Sequence, residues 1–318
     1  MAVLTKIPEE KLREVLRSNY NDLVYISKIS GILEGVENTN YKIETFDDLY
    51  IFTLIERRLK LAGLQRCMDL LEHLADIGIP CPIPSRNGSA KTAGEFFGKP
   101  GCVVSFLSGQ SIGDVVGLWV GQRAKNLGAI CARIHQVKNL DNPMPPNQLG
   151  KAGILALADT LQGKFGENAE LVNGVIAALK QADFSQLETG LCHGDLFPDN
   201  VFFEEKGDAV SGVIDWYFAC TDTLAYDLAI VLSAWCFHPA GDKFDTDVAK
   251  EIIDGYNSVR ELSDSERAAL PLLCQLAALR FYLTRLQDSL TPRGGALIDK
   301  DPNEYANQLR FFSTWPGI

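Results

Sequence analysis

The chain has 318 residues, 46% apolar and 22% charged, a composition that buries a sizeable core at a length where single cores divide, so two packed lobes are expected. Its 41 acidic residues against 30 basic ones leave a net charge of −11, which excludes the basic footprint that nucleic acid or an anionic membrane demands and points to small-molecule partners. The opening residues carry charge from Lys6 onward and no run reaches membrane-spanning length, so neither a secretory signal nor a membrane span is expected, and the cytoplasm is the expected compartment.

In chain order, Pro8–Ser18 reads as a short amphipathic helix, with Leu12, Val15 and Leu16 on one side, placed as a lid. The texture then turns β-rich: Leu23–Ile26, Asn40–Glu44 and Leu49–Ile55 predict an antiparallel sheet of about three strands, broken by Gly31–Gly35 and the Asp47-Asp48 turn. Leu64–Ile77 has helical periodicity and stops at Gly78 and three prolines; two further short strands follow around Ala90–Phe97 and Cys102–Leu107. The polar, glycine-containing Ser108–Ile112 marks the lobe boundary. Beyond it the chain is mainly helical, with helices predicted over Asp114–Val137, Leu155–Phe165, Asn168–Ala182, Ala225–Phe237, Thr246–Leu262 and Asp264–Leu290, interrupted by a strand-rich stretch from His193 to Asp215. The class is therefore α+β. Eight cysteines without a CxxC pair, several inside apolar stretches, read as buried free thiols, and four histidines without ligand spacing give no Cys/His metal site.

The chemistry concentrates in His193-Gly194-Asp195-Leu196-Phe197-Pro198-Asp199-Asn200, followed by Val201–Phe203, a turn over Glu204–Asp208, and Val210–Ile214 leading to Asp215-Trp216. If the two apolar runs form an antiparallel hairpin, Asn200 and Asp215 stand at its open end with Cβ atoms roughly 5 Å apart. Two oxygen ligands side by side suit Mg²⁺, which takes one or two protein oxygens and leaves its other positions to water and phosphate. Asp195, five residues upstream, can reach the same spot. Phosphoryl transfer needs little else: a carboxylate to orient and deprotonate the attacking hydroxyl and a metal to neutralise phosphate charge. Asp and Asn also favour turns and caps, and His193, His135 and Asp227 read more simply as structural groups.

His-Gly-Asp-x₄-Asn with a later Ile-Asp-Trp resembles the kinase-like aminoglycoside phosphotransferase and choline kinase superfamily. Tyr226-Asp227-Leu228-Ala229 and the helix ending at His135 extend the likeness over nearly the whole chain. The resemblance implies a bilobal protein-kinase-like fold, with an N-terminal antiparallel sheet lobe over residues 1–107 covering the nucleotide and a larger, mainly helical lobe over 108–318 carrying catalysis and the acceptor. It implies ATP and Mg²⁺ as cofactors, Asp195 as the catalytic base and Asn200 and Asp215 as metal ligands. Gly31-x₃-Gly35 through Asn38 and Asn40 sits where a phosphate-covering loop belongs.

One departure is plain: the superfamily's third-strand lysine is replaced by Thr53, so Lys42, Arg57 or Arg58 would have to balance phosphate charge, and Glu72 on the next helix would lack its usual ion-pair partner. Gly31, Gly35, Asn38, Asn40 and Thr53 are the expected nucleotide-binding residues. The wording Gly35-Val36-Glu37-Asn38-Thr39-Asn40-Tyr41 and Ile214–Ala219 resembles the homoserine kinase branch of bacterial threonine biosynthesis, which makes homoserine the favoured small alcohol. Choline, methylthioribose, amino-sugar and aminoglycoside kinases share the same chemical core, and a non-catalytic nucleotide-binding scaffold is the reading that the loss of lysine would motivate.

Overall fold

Apolar residues at every second position, Tyr41 and Ile43, then Phe52 and Leu54, dictate strands with one buried face. The computed structural model, which describes residues 4–32, 38–57, 59–111, 121–238, 240–290 and 301–318, follows that pattern. Helix α1 (Glu9–Asn19) precedes strands β1 (Ile26–Gly31), β2 (Thr39–Thr45) and β3 (Leu49–Leu54), helix α2 (Leu61–Asp76), and strands β4 (Ala93–Phe96) and β5 (Lys99–Ser105). The strands form one antiparallel sheet in the order β1-β2-β3-β5-β4. Tyr41 lies opposite Phe52, and Phe52 opposite Val103; this row packs with Leu12 and Leu16 of α1. The next row, Asn40–Thr53–Cys102, points to the other face. The strand expected at Leu23–Ile26 is not there: Asn21–Leu23 is a single 3₁₀ turn and the strand starts at Ile26. Tyr20 and Leu23, three residues apart, enter the core together as a helical turn permits and a strand does not.

The remaining elements are β6 (Gln110–Ser111), α3 (Gln122–His135), α4 (Lys151–Thr160), α5 (Ala169–Gln181), β7 (Thr189–Cys192), β8 (Val201–Phe203), β9 (Val210–Val213), β10 (Cys220–Thr223), α6 (Leu224–Trp235), α7 (Thr246–Asn257), α8 (Asp264–Leu290) and α9 (Asn303–Phe312). Residues 112–120, at the start of the helix expected from Asp114, lie outside the described residues. β7 pairs with β10 and β8 lies between β6 and β9. Helix α6 is apolar nearly all round and buried along almost its whole length, as a central helix must be. Glycines set the approach of α3 to α7: a Cβ at Gly128 would sit 1.9 Å from Ile252 O, and one at Gly255 1.9 Å from Lys125 O.

The chain forms two compact units, Met1–Ser108 with Gly212–Tyr217, and Gly109–Ser211 with Phe218–Ile318. In the first, Val213 N donates to Pro80 O at 2.8 Å and Cys67 Sγ lies 3.8 Å from Trp216 O. All eight cysteines are free and buried. Among the described residues, no helix is long and apolar enough to cross a membrane.

Candidate active site

Between β7 and β8 the backbone leaves its sheet, and its buried N–H groups must find other acceptors. Asp227, in the first turn of α6, supplies them: Oδ2 accepts from His193 N at 2.8 Å and Oδ1 from Gly194 N at 2.9 Å. His135, the last residue of α3, places Nε2 3.2 Å from the same Oδ2, and its Nδ1 lies 2.7 Å from the Tyr256 hydroxyl, which in turn accepts from Arg260. Burial by itself pushes the Asp227 carboxyl up; the His135 bond, the pull of the His135 and His193 rings and the Gly194 N–H outweigh it and hold the group below the usual carboxylate range. Gly194 turns the corner at φ +77, where an added Cβ would lie 2.7 Å from Phe218 O.

On this anchored loop His193 is a backbone-binding histidine, its Nδ1 accepting from Asp195 N at 3.2 Å. Asn200 Nδ2 donates to Asp195 O at 2.8 Å and lies 3.4 Å from Asp195 Oδ2. Trp235 Nε1 donates to Leu196 O at 2.8 Å. Asp195 thus remains 21% exposed at the tip while its neighbours His193, Gly194 and Leu196 are buried. Helix α8 adds Arg280, whose Nη1 donates to Gly194 O at 2.7 Å and whose Nη2 lies 3.7 Å from Asp195 Oδ1. Arg280 is not among the site residues expected from the sequence; its signal there is a lone charge inside the apolar run from Leu272 to Leu283.

In the first unit, Thr53 Oγ1 donates to Asn40 Oδ1 at 2.7 Å, so two of the expected nucleotide residues touch. The Tyr217 hydroxyl bonds to Thr53 and lies 4.0 Å from Cys102 Sγ; burial, with Cys102 and Asp215 adding to it, pushes this phenol well up. A tyrosine from the segment after Asp215 therefore meets the strand position where the lysine is missing. Asn38 Oδ1 accepts from Glu56 N at 3.3 Å, and Gly31 ends β1 opposite Tyr41. Gly35 and Arg58 lie outside the described residues. Glu72 is not left unpaired by the loss of the lysine: Arg86 bridges to it at 2.6 Å. Lys42 stands 3.9 Å from Glu44 and over the Phe106 ring, and Lys99 pairs with Glu56.

Asp215 belongs to the first unit, Asp195 and Asn200 to the second. Asp215 holds φ +61, a left-handed conformation that costs a non-glycine residue of order 1 kcal/mol. Each of these two side chains by itself is an oxygen ligand of the kind a hard divalent cation takes, a carboxylate at 215 and an amide at 200. Because Asn200 spends its nitrogen on Asp195 O, its oxygen is the atom left to offer. Cys131, His135 and Asp227 also bring ligand-type atoms within 4.8 Å of one another. There the carboxylate is already saturated by two backbone donors and an imidazole, which makes it a bolt for the loop.

The sequence profile described as the phosphotransferase enzyme family matches residues 28–262. A homoserine kinase of Methylobacterium nodulans is 44% identical over 318 residues, covering 98% of this chain and 96% of its own length. One from Agrobacterium fabrum is 39% identical over 327 residues, covering 100% and 98%. Among solved structures, an amicoumacin kinase in complex with AMP-PNP and Ca²⁺ superposes with a TM-score of 0.71 at 18% identity, over 96% of this chain and 92% of its own. A spectinomycin phosphotransferase in complex with ADP and spectinomycin gives 0.71 at 14% identity, over 98% and 99%. At these identities the solved structures speak for the fold, which is the α+β kinase-like fold expected from the sequence. The profile spans most of the chain and the relatives align with it nearly end to end, so the chain belongs to the phosphotransferase enzyme family and, within it, to the homoserine kinases.

Proposed function

We propose that this chain transfers the γ-phosphoryl group of ATP to the side-chain hydroxyl of L-homoserine, giving O-phospho-L-homoserine and ADP in the cytoplasm. The observation that carries the reading is the loop of Asp195: a partly exposed carboxylate on a backbone bolted by Asp227, Asn200 and Arg280. Catalysis of phosphoryl transfer is mostly positioning, and a base held this way can accept the proton of the attacking hydroxyl as the new O–P bond forms. Asn200 Oδ1 and the Asp215 carboxylate are the groups to hold Mg²⁺, which supplies charge neutralisation across the β- and γ-phosphates when bound. Gly31, Gly35, Asn38, Asn40 and Thr53 serve the nucleotide, within a covering lobe of residues 1–107, and residues 108–318 carry the base and the acceptor. The Tyr217–Thr53–Asn40 hydrogen bonds support a nucleotide side that is neutral where relatives of the superfamily place a lysine.

Support for homoserine over choline, methylthioribose, amino sugars or aminoglycosides comes from the relatives that bear its name at 39% and 44% identity, against 14% and 18% for the antibiotic kinases. The test is ADP release from ATP and Mg²⁺ with a panel of these alcohols. L-homoserine is expected to give a kcat/KM at least ~10²-fold above any other acceptor, because a site built around a substrate's polar groups rejects analogues that lack them. A different preferred acceptor would overturn the substrate, and nucleotide binding without turnover of any acceptor would favour the scaffold.

A further inference from the structure

A cation buried among apolar side chains is costly unless its donors are met, so a lone arginine inside a packed helix marks a task that leucine or methionine could not perform. Arg280 is such a residue. Its side chain is 3% exposed, and its guanidinium lies 4.7 Å from the centre of the Phe281 ring and 5.8 Å from that of Phe218. One nitrogen, Nη1, donates to Gly194 O at 2.7 Å. Another, Nη2, stands 3.7 Å from Asp195 Oδ1, within ion-pair range and beyond hydrogen-bond length. Buried Nε has no hydrogen-bond partner among the described residues.

The other polar groups that feel Arg280 are Cys220 and Asp222 of β10, Tyr226 of α6, whose hydroxyl also hydrogen-bonds the Arg280 side chain, and Tyr305 of α9. Asp222 is occupied by Asn147 Nδ2 at 2.8 Å, and the Tyr226 hydroxyl donates to Leu149 O at 3.1 Å. The ionic partner within reach of the guanidinium is therefore Asp195. Burial and the Phe281 ring also keep Arg280 from meeting a substrate directly. Whatever it does for the reaction, it does through the loop.

We propose that Arg280 is a positioning residue for phosphoryl transfer. From α8 it clamps the Gly194–Asp195 peptide and draws Asp195 Oδ1 to its own side. That leaves Oδ2, on the Asn200 side of the carboxylate, as the oxygen presented to the acceptor hydroxyl. The base is thereby aimed by a charge that the substrate never touches, and a shift of about 1 Å in such a base is enough to cost ~10²-fold in rate. The inference rests on Asp195 being the base.

The test compares wild type, Arg280→Met, Arg280→Lys, Asp195→Asn and the Asp195→Asn/Arg280→Met double variant with ATP, Mg²⁺ and L-homoserine. The readouts are kcat, KM for both substrates, nucleotide affinity and thermal melting. R280M, similar in length and uncharged, is expected to lower kcat ~10²-fold with KM for ATP and nucleotide affinity within about twofold. R280K, which keeps the charge and can still reach one acceptor, is expected to recover at least ~10-fold of that loss. The double variant is expected to be no more than about threefold slower than D195N alone, since the two residues act as one unit. Folded R280M with wild-type kcat, R280K no faster than R280M, or losses that simply multiply in the double variant would each overturn the proposal.

If R280M does not fold, R280K decides by itself: a kcat about 3- to 10-fold down at unchanged KM supports the clamp, and a wild-type kcat overturns it. An inactive wild type, or a D195N variant at full rate, sinks the functional reading and the clamp with it. A slow D195N beside a fast R280M sinks the clamp alone.

Discussion

The Asp227 side chain has no exposed surface, yet three donors converge on it: His193 N, Gly194 N and the His135 ring. Asp227→Asn keeps the shape and turns one acceptor into a donor facing donors, so it is expected to cost ~2–4 kcal/mol in denaturant unfolding. The pH dependence has a definite sign. The folded-state carboxyl lies below its ordinary value, so the stabilisation it gives is complete above the unfolded carboxylate range near pH 4 and disappears as pH falls through the folded value. D227N should accordingly flatten the acid limb of the stability curve; unchanged stability with an unchanged limb would contradict the bolt. At this scale the short-range part was legible, because Asp195 and Asn200 are five residues apart and the spacing fits a loop entering a strand. The bolt was not legible, since Asp227 grips backbone N–H groups more than thirty residues away and any side chain can sit on such a backbone. Nor was the partner of Thr53, a tyrosine two residues past Asp215.

Helix α3 lies against α7 through backbone, with Gly128 over Ile252 O and Gly255 over Lys125 O. Gly128→Ala must push the helices apart and is expected to cost about 1–3 kcal/mol. Gly174, mid-helix in α5, is exposed with nothing within 4 Å of an added Cβ. Gly174→Ala should instead stabilise by ~0.5–1 kcal/mol, through helix propensity and a less flexible unfolded chain. Denaturant midpoints of the two variants moving the same way would contradict this packing. Long helices such as α2, α5, α7 and α8 were legible because burying one face imprints a 3.6-residue period. The β7–β10 strand pair was missed: four residues per strand, with glycine and threonine in β7, carry too little alternation. Helix α9 was missed although Tyr305, Ala306, Leu309 and Phe312 recur on one face.

Across the whole molecule the α+β class followed from a strand-rich first third and a helix-rich remainder, each wanting its own layer. What contiguous reading could not see is the return of Gly212–Tyr217 to the first unit. That segment is held by Val213 N on Pro80 O, Cys67 on Trp216 O and Tyr217 on Thr53. Each contact spans more than a hundred residues and leaves no local signature. The first unit therefore holds Asp215 in its left-handed conformation, while the second unit fixes the loop of Asp195 and Asn200 with its own helices. On the function proposed above, this loop presents the base of the reaction. The most direct measurement is turnover of L-homoserine by Asp195→Asn at saturating ATP and Mg²⁺, alongside nucleotide affinity by titration. A fall in kcat of at least ~10²-fold with nucleotide affinity unchanged is predicted; turnover within about twofold of wild type would contradict the account.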